Sequence, residues 1–445
     1  MADLKKFLYQ QKDFTGEITF QTSVINEIDA EKYSLFEILY NEKLGFLSFR
    51  ERIAILNSWL TDNNRTHMAF DRRIAETGCK TIATVKNTII KQEQNLLNLS
   101  SNDYLKLTQH PKIKQAVIEA IRMFGLGAGA ASFATGTTRL HRQLEEKIAQ
   151  FKGCEDSLVY SSGYGANVGV ISSLLGENDI GIFDAYAHAS LLDGMSLAHT
   201  NKVFFLHNDM NSLEYMLKRA QRDYINKLVI VEGVYSMDGD IAPLDKIVEL
   251  AHKYDAWLLV DEAHATGVLG KTGKGTIEHY HLEGQVDVVT GTFSKAVGGI
   301  GGFVAGTKNL IDYFRFSSRS YLFATAAFIP AVAAALEAFN IIEQEPELRK
   351  RLWDNTHYMH QKLTELGFDI GKTQTCIIPI YIGNDTKVLE LTQQLQNKGF
   401  LVNPAVYPGV PKEKARIRLA VTSGNTKEQL DSFLNSLCEE SKALA

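Results

Sequence analysis

The chain has 445 residues, of which 45% are apolar and 22% are charged, and its formal net charge is −5. This composition is typical of a globular protein, and the length predicts two or three domains. The mild negative charge argues against binding to nucleic acid through its phosphates, so we expect no such partner. Cys79, Cys154, Cys376 and Cys438 lie far apart without metal-type spacing. We therefore expect reduced thiols, no bound metal and a cytoplasmic location.

The first 95 or so residues differ from the rest. They contain no apolar signal core, and no stretch of about 18 apolar residues occurs in the chain. We expect a soluble protein, although peripheral contact with a membrane stays open. Apolar residues at helical spacing between Glu31 and Leu60 predict one or two amphipathic helices. Alternation from Thr81 to Leu97 predicts a strand pair around Lys91–Gln94. We assign residues 1–97 to an N-terminal extension and arm.

From about residue 108, short apolar runs alternate with amphipathic helices. The runs KLVIVEG (227–233), WLLVDEAH (257–264) and VDVVTGTF (286–293) have the length of parallel strands that are buried on both faces. The helical segment LDKIVELAHKYDA lies between the first two runs, so the pattern predicts a doubly wound α/β sheet. Ligands bind at the carboxyl ends of the strands in such a sheet, and the polar residues that end these runs are the candidates for chemistry.

The last part of the chain predicts a smaller α+β domain. A long helical stretch after Phe328 leads to a strand-like CIIPIYIG, a helix VLELTQQLQNKG and a strand ARIRLAV. We therefore expect a large domain over residues 98–325 and a small C-terminal domain over residues 326–445.

One strand end carries a carboxylate, Asp261, directly after the apolar WLLV. A buried carboxylate is unfavourable unless a cation faces it, and a protonated pyridine nitrogen would be such a cation. His264, three residues later, could reach a ring oxygen or a substrate. The alternative is that Asp261 caps the following helix and that His264 has no role.

Two further strand ends complete the pattern. Lys295 follows VDVVTGTF and precedes a glycine-rich turn, and a lysine in a tight apolar site can lose its proton and attack an aldehyde. Thr292 and Ser294 offer hydroxyl groups to a phosphate. Gly163 and Tyr164, in YSSGYGAN, precede an apolar helix whose first N–H groups could bind a phosphate. For the lysine motif alone the alternative is a surface lysine, and for the glycine motif alone it is an ordinary turn. The order of the three motifs along one sheet favours a cofactor site.

Eight motifs together resemble the α-oxoamine synthases, a group of fold-type I enzymes that depend on pyridoxal 5′-phosphate (PLP). They span residues from about 98 to the C-terminus and are SNDYLKL, GTTRLHRQLE, YSSGYGAN, DAYAHASLLDG, VEGVYSMDGD, VDEAHATGVLG, GTFSKAVGG and ARIRLAV. The resemblance implies the fold of a fold-type I PLP-dependent transferase and a homodimer.

The resemblance also implies roles for individual residues. Lys295 would form a Schiff base with PLP and act on the Cα proton, Asp261 would pair with the pyridine nitrogen, and His264 would lie beside the ring oxygen and polarise the thioester. His188 would stack on the ring, and Arg418 would bind the carboxylate of the amino acid. Further cofactor contacts are implied for Gly163, Tyr164, Ser236, Thr292 and, across a dimer interface, Thr325. From strand geometry, we expect Arg416, in the same strand as Arg418, to point to the opposite strand face.

The implied reaction is the decarboxylative condensation of an amino acid with an acyl thioester, delivered by CoA or an acyl-carrier protein, to give an α-amino ketone. GTFSK, VDEAH and FLVNPAVYPGVP most resemble serine palmitoyltransferases, which predicts serine or a similar small polar amino acid and a long-chain acyl group, as in sphingoid-base synthesis. The alternatives are 8-amino-7-oxononanoate synthase, 2-amino-3-ketobutyrate CoA ligase and a cysteate-using acyltransferase. An aminotransferase, an aldolase or a cofactor-free binding protein is favoured less.

Ser132 departs from the predicted branch. The ligase, palmitoyltransferase and aminolevulinate synthase branches usually carry an arginine at this position in GAGAASFATGTT, whereas the oxononanoate synthases usually carry a small residue. This difference leaves the identity of the amino acid open.

Overall fold

The computed structural model describes residues 48–61, 73–87, 92–407 and 409–443. The chain divides into two compact units, residues 1–71 and 72–445. In the first unit, helix α1 (Phe49–Thr61) begins with reciprocal hydrogen bonds between Ser48 and Glu51, which form a capping box. Helix α1 confirms the end of the predicted helical region, and residues 31–47 lie outside the described residues.

The second unit begins with an arm of three strands, β1 (Arg73–Ala75), β2 (Ile82–Asn87) and β3 (Gln92–Asn98). Strands β2 and β3 pair in antiparallel fashion with Ile82 opposite Leu97, which confirms the predicted strand pair. A 3₁₀ turn at Leu107–Gln109 and helix α2 (Pro111–Phe124) follow. Pro111 occupies the first turn of α2, where a proline costs no hydrogen bond.

A seven-stranded sheet forms the centre of the second unit. Its strands are β4 (Asp156–Tyr160), β5 (Ile180–Asp184), β6 (Asn201–Phe205), β7 (Lys227–Glu232), β8 (Trp257–Asp261), β9 (Val288–Thr292) and β10 (Gly302–Gly306). Their order across the sheet is β4-β10-β9-β8-β7-β5-β6. Strand β10 runs antiparallel to both its neighbours, and the others are parallel, as the sequence predicted.

Both faces of this sheet are covered. In β7, Leu228 and Ile230 belong to one apolar cluster, whereas Val229 and Val231 belong to another, because successive side chains point to opposite faces. The flanking helices are α3 (Arg139–Lys152), α4 (Gly163–Leu174), α5 (Ala189–Ala198), α6 (Met210–Asp223), α7 (Leu244–Lys253), α8 (Thr276–His279), α9 (Lys308–Ser317) and α10 (Arg319–Leu322). The predicted doubly wound α/β architecture is confirmed.

The C-terminal part contains both helices and strands. Its elements are α11 (Ile329–Gln344), α12 (Pro346–Glu365), β11 (Ile377–Gly383), α13 (Asp385–Asn397), β12 (Phe400–Leu401), β13 (Asn403–Ala405), β14 (Ala415–Ala420) and α14 (Lys427–Ala443). The long predicted helix is two helices, because Pro346 cannot continue α11. Strands β11, β14 and β13 form an antiparallel sheet.

The arm and the C-terminal part share a sheet. Strand β12 pairs in parallel with β3, which places Phe400 opposite Leu97. The predicted boundaries at residues 97 and 325 stay predictions, since residues 72–445 form one compact unit. No helix in the described ranges is long and apolar enough to cross a membrane.

Candidate active site

A cavity of about 380 Å³ lies where strands β4, β7, β8 and β9 end. Strand ends that are far apart in sequence meet there because parallel strands place their carboxyl ends at one edge. Seven of the predicted residues line it: Gly163, Tyr164, His188, Asp261, Thr292, Ser294 and Lys295. The cavity therefore unites the three motifs that the sequence singled out.

Lys295 follows β9 in the turn that leads to β10, and its carbonyl accepts a hydrogen bond from the N–H of Gly298 at 2.9 Å. Burial lowers the pKa of Lys295 below its ordinary value, and this effect outweighs the opposing charges of Asp261 and Glu232. A lowered pKa increases the fraction of neutral amine, which is the form that attacks an aldehyde.

Asp261 ends β8 and is buried, with 5% of its surface exposed. One carboxylate oxygen accepts from Asn167 Nδ2 at 2.7 Å, and the other accepts from the N–H of Ala263 at 2.9 Å. Both donors are neutral, and no described residue forms an ion pair with this carboxylate. A buried anion that lacks a cation and borders a cavity fits the protonated nitrogen of a pyridine ring.

His188 caps the N-terminus of α5, and its Nδ1 accepts the N–H of Ser190 at 3.2 Å. Burial and the nearby Lys295 charge lower the pKa of His188, which favours a neutral imidazole ring. A neutral flat ring that lines the cavity can pack on a conjugated cofactor.

His264 is buried and does not line the cavity, whereas its neighbour Ala263 does. Its Nδ1 lies 2.8 Å from the Tyr104 hydroxyl. Burial, with the charges of Lys295 and Arg418, holds the pKa of His264 well below its usual value. The hydrogen bond with Tyr104 holds this neutral ring in place, and the direct contact of His264 with a cofactor stays a prediction.

The N-terminus of α4 and the end of β9 form a cradle for an anion. Ser162 caps α4 by accepting the N–H of Gly165 at 2.9 Å, and Gly163 is the first residue of the helix. A Cβ atom on Gly163 would lie 2.8 Å from Thr292 Cβ, so only glycine permits this approach. Thr292 Oγ1 lies 2.9 Å from Ser294 Oγ. Backbone N–H groups and two hydroxyl groups at a helix N-terminus suit a phosphate.

Two arginines of β14 lie near the turn after β7. Arg418 donates to the Ser236 carbonyl at 2.5 Å and to Asn102 Oδ1 at 3.1 Å. Arg416 donates to Asp238 at 2.6 Å. The prediction that Arg416 points to the opposite face was wrong, since residues two apart in a strand share a face. Arg416 is neutralised by Asp238, whereas no described carboxylate pairs with Arg418, which leaves the latter free to bind one.

Besides His264, three predicted site residues are not among those that line this cavity: Arg418, Ser236 and Thr325. The Ser236 carbonyl accepts a hydrogen bond from Arg418, and the Ser236 side chain forms no hydrogen bond with the described residues. Thr325 is exposed and forms an isolated bridge with Ala131, next to Ser132. Its predicted role across a dimer interface stays a prediction in a single chain.

Sequence reasoning missed Asn167, Ser190 and Glu232, which also line the cavity. Glu232 ends β7 directly opposite Asp261. Burial, and then the charge of Asp261, raises the pKa of Glu232 to about 8, so this carboxyl group is largely protonated at neutral pH. The rule that polar residues ending buried strands carry chemistry would have found Glu232. Asn167 stands one helical turn after Gly163 in a motif that was noted only for its glycines.

Comparison with known proteins gives the following relatives. The family of class I and II aminotransferases matches residues 94–437. The 8-amino-7-oxononanoate synthase of Thermoanaerobacter pseudethanolicus is 46% identical over 351 residues, which cover 79% of this chain and 89% of that protein. The 8-amino-7-oxononanoate synthase 1 of Bacillus subtilis is 42% identical over 357 residues, covering 80% and 91%.

Solved structures are similar over most of the chain. A serine palmitoyltransferase from S. paucimobilis with bound PLP–myriocin aldimine is 32% identical with a TM-score of 0.81, covering 93% of this chain and 99% of that one. An 8-amino-7-oxononanoate synthase from Francisella tularensis is 27% identical with a TM-score of 0.68, covering 78% and 98%.

Proposed function

We propose that this chain makes 8-amino-7-oxononanoate. The chain belongs to the class I and II aminotransferase family and, within it, to the PLP-dependent α-oxoamine synthases. The predicted fold type, cofactor and C-acyltransferase class are confirmed by this membership. The observation that carries the specific reaction is the 42–46% identity to 8-amino-7-oxononanoate synthases over about 80% of the chain.

The predicted serine and long-chain acyl substrates are supported less well than this alternative. The serine palmitoyltransferase structure is 32% identical, and no relative reported above supports sphingolipid synthesis beyond that likeness. Ser132 favours the same alternative, because the resemblance associates a small residue at this position with the oxononanoate synthases.

The structure of the product identifies the two substrates. The name 8-amino-7-oxononanoate describes a nine-carbon acid with an amino group on carbon 8 and a ketone on carbon 7. Decarboxylative condensation places the Cα atom and side chain of the amino acid at carbons 8 and 9, so the amino acid is alanine. The remaining 9 − 2 = 7 carbons come from an acyl thioester with a carboxylate at its far end.

The site residues have matching tasks. Bound PLP withdraws electron density from Cα of the amino acid. Lys295 would attach the cofactor, and its lowered pKa favours the neutral amine that takes the Cα proton and returns it. Asp261 keeps the pyridine nitrogen protonated, and the Gly163 cradle binds the phosphate. Arg418 binds the carboxylate of alanine through its guanidinium group.

Further parts of the assignment rest on family likeness and are proposed with it. We propose a homodimer in which Thr325 of each subunit reaches the site of the other, a cytoplasmic location, and a division of the chain at residues 97 and 325.

The test is product formation by the PLP-loaded enzyme. Alanine with a seven-carbon, ω-carboxylated acyl-CoA would be compared with serine plus palmitoyl-CoA and glycine plus acetyl-CoA, and products would be identified by mass spectrometry. We expect kcat/KM at least about tenfold higher for the alanine pair, a range that one methyl or hydroxyl difference can supply. Turnover with serine and palmitoyl-CoA, without turnover of the alanine pair, would overturn the proposal. Release of a keto acid would indicate an aminotransferase.

A further inference from the structure

His207 lies between two carboxylates outside the cavity. It follows β6, and its Nδ1 is 2.8 Å from Asp184 Oδ1 while its Nε2 is 2.8 Å from Asp240 Oδ2. Ionised carboxylates only accept hydrogen bonds, so a ring that bonds to both must carry a proton on each nitrogen. Burial alone would lower the pKa of His207, but the hydrogen bonds and charges of the two carboxylates raise it to about 9.

The first carboxylate fixes the turn that carries His188. Asp184 ends β5 and is fully buried. Its Oδ1 accepts the N–H of Tyr186 at 2.8 Å, and its Oδ2 accepts the N–H of Asn208 at 2.9 Å. The N–H of Ala187 bonds to its carbonyl at 3.0 Å. Hydrogen bonds to Asp184, with one from the N–H of Ala185 to the Phe205 carbonyl, thus set the path from the end of β5 to His188, which lines the cavity.

The second carboxylate belongs to the turn that meets the arginines. The N–H of Tyr235 bonds to the Asp240 carbonyl at 3.1 Å, and the N–H of Gly239 bonds to the Tyr235 carbonyl at 2.9 Å, which closes residues 235–240 into a tight turn. Within this turn the Ser236 carbonyl accepts from Arg418. Movement of the turn would therefore move Arg418.

The ring of His207 also contacts one tyrosine from each turn. Tyr186 stacks on it with centroids 4.2 Å apart and 17° between the planes, and Tyr235 meets it edge-on at 4.5 Å and 86°. A protonated imidazole is favoured against an aromatic face, as other cations are, and the stacked Tyr186 ring offers one. Each turn thus supplies one carboxylate and one aromatic ring to the same side chain.

We propose that His207 is a positioning residue whose imidazolium joins the His188 turn to the 235–240 turn and so holds the cofactor-facing histidine and the carboxylate-binding Arg418 in a fixed relation. It touches neither cofactor nor substrate. A neutral side chain at this position would leave two neighbouring carboxylates without their shared cation, and the two turns would separate. The inference requires an amino-acid substrate and bound PLP, but not a particular acyl chain.

The test uses the PLP-loaded full-length enzyme with His207→Gln, which can donate to one carboxylate and carries no charge. His252→Gln, an exposed histidine of α7, is the matched control. The visible circular dichroism of the bound cofactor reports the asymmetry of its surroundings without any substrate. The second readout is the KM of the amino acid against kcat, measured with alanine or, should the proposed function fail, with the amino acid that wild type turns over.

For His207→Gln we expect the visible circular dichroism to change and the KM of the amino acid to rise about tenfold, with kcat within about threefold of wild type. A tenfold rise in KM corresponds to the loss of one charge-assisted hydrogen bond. His252→Gln should match wild type in both. If His207→Gln fails to fold, Asp240→Asn replaces it and should raise the KM in the same direction. A folded variant that loses thermal stability alone, with cofactor signal and KM unchanged, would overturn the inference.

Discussion

The end of β8 and the strand β14 both carry buried charge in the active-site region, and these charged residues differ in whether a counter-ion accompanies them. Asp261 accepts from neutral donors, and Arg418 donates to neutral acceptors. Arg416, only 1% exposed, instead pairs with Asp238 and packs on the Tyr381 ring at 4.2 Å. Because an uncompensated buried charge is unfavourable, we expect ligands to bind at the charges without a counter-ion, whereas the paired charge needs no ligand.

Removal of the amine should have the largest effect. In Lys295→Ala, we expect product formation to fall about 10⁴-fold, because the variant loses both the attachment point of PLP and the base at Cα. The visible absorbance of the lysine-bound cofactor should disappear. Lys350→Ala, an exposed lysine of α12, should retain both. Turnover of Lys295→Ala within tenfold of wild type would contradict the assignment.

The two carboxylates provide the next test. Asp261→Asn should lower kcat about 10²- to 10³-fold, because an amide cannot keep the pyridine nitrogen protonated. Asp238→Asn should leave kcat within about threefold but destabilise the fold by about 3 kcal/mol, since it leaves Arg416 buried without its partner. Steady-state kinetics and urea unfolding measure these effects. Equal losses of kcat in both variants would refute the distinction between paired and unpaired charges.

Substitutions of the two arginines should also differ in their effects, which should be smaller than those of the carboxylate variants. Arg418→Lys should raise the KM of alanine about tenfold or more, since an ammonium group cannot form the two parallel hydrogen bonds of a guanidinium. Arg416→Lys should change that KM less than about threefold and lower the stability by about 1 kcal/mol, because it loses contacts with Asp238 and Tyr381. If Arg416→Lys raised the KM of alanine more than Arg418→Lys did, Arg416 would be the residue that binds the carboxylate.

Glu232 should give the smallest effect, one that depends on pH. Its pKa in the folded protein, about 8, lies above the ordinary 4.5, so the folded state binds its proton more tightly than the unfolded state. This contribution to stability is complete below pH 4.5 and is lost as the pH rises through 8. We therefore expect the Tm of wild type to fall relative to Glu232→Gln between pH 5 and 9. Parallel Tm curves for the two proteins would show that Glu232 titrates normally.

Much of the fold followed from local patterns. The apolar runs that end in Asp261 and Thr292 predicted the parallel strands β8 and β9, and a helical run predicted α7. The break at Pro346 was missed, although proline gives a local signal for it. Glu232 and Asn167 were missed for different reasons. Glu232 follows the strand-end rule that was applied elsewhere, whereas Asn167 meets Asp261 across 94 residues of sequence.

By itself, the sequence determined the sheet class and the motifs at the strand ends, because hydrophobic periodicity and glycine placement act over a few residues. The tertiary structure alone decided which buried charges have partners. Strand β7 lies beside β8, which places Glu232 opposite Asp261, and the turn after β7 meets β14, which gives Arg416 its carboxylate. These pairings depend on the order of strands across the sheet, and no local pattern encodes that order.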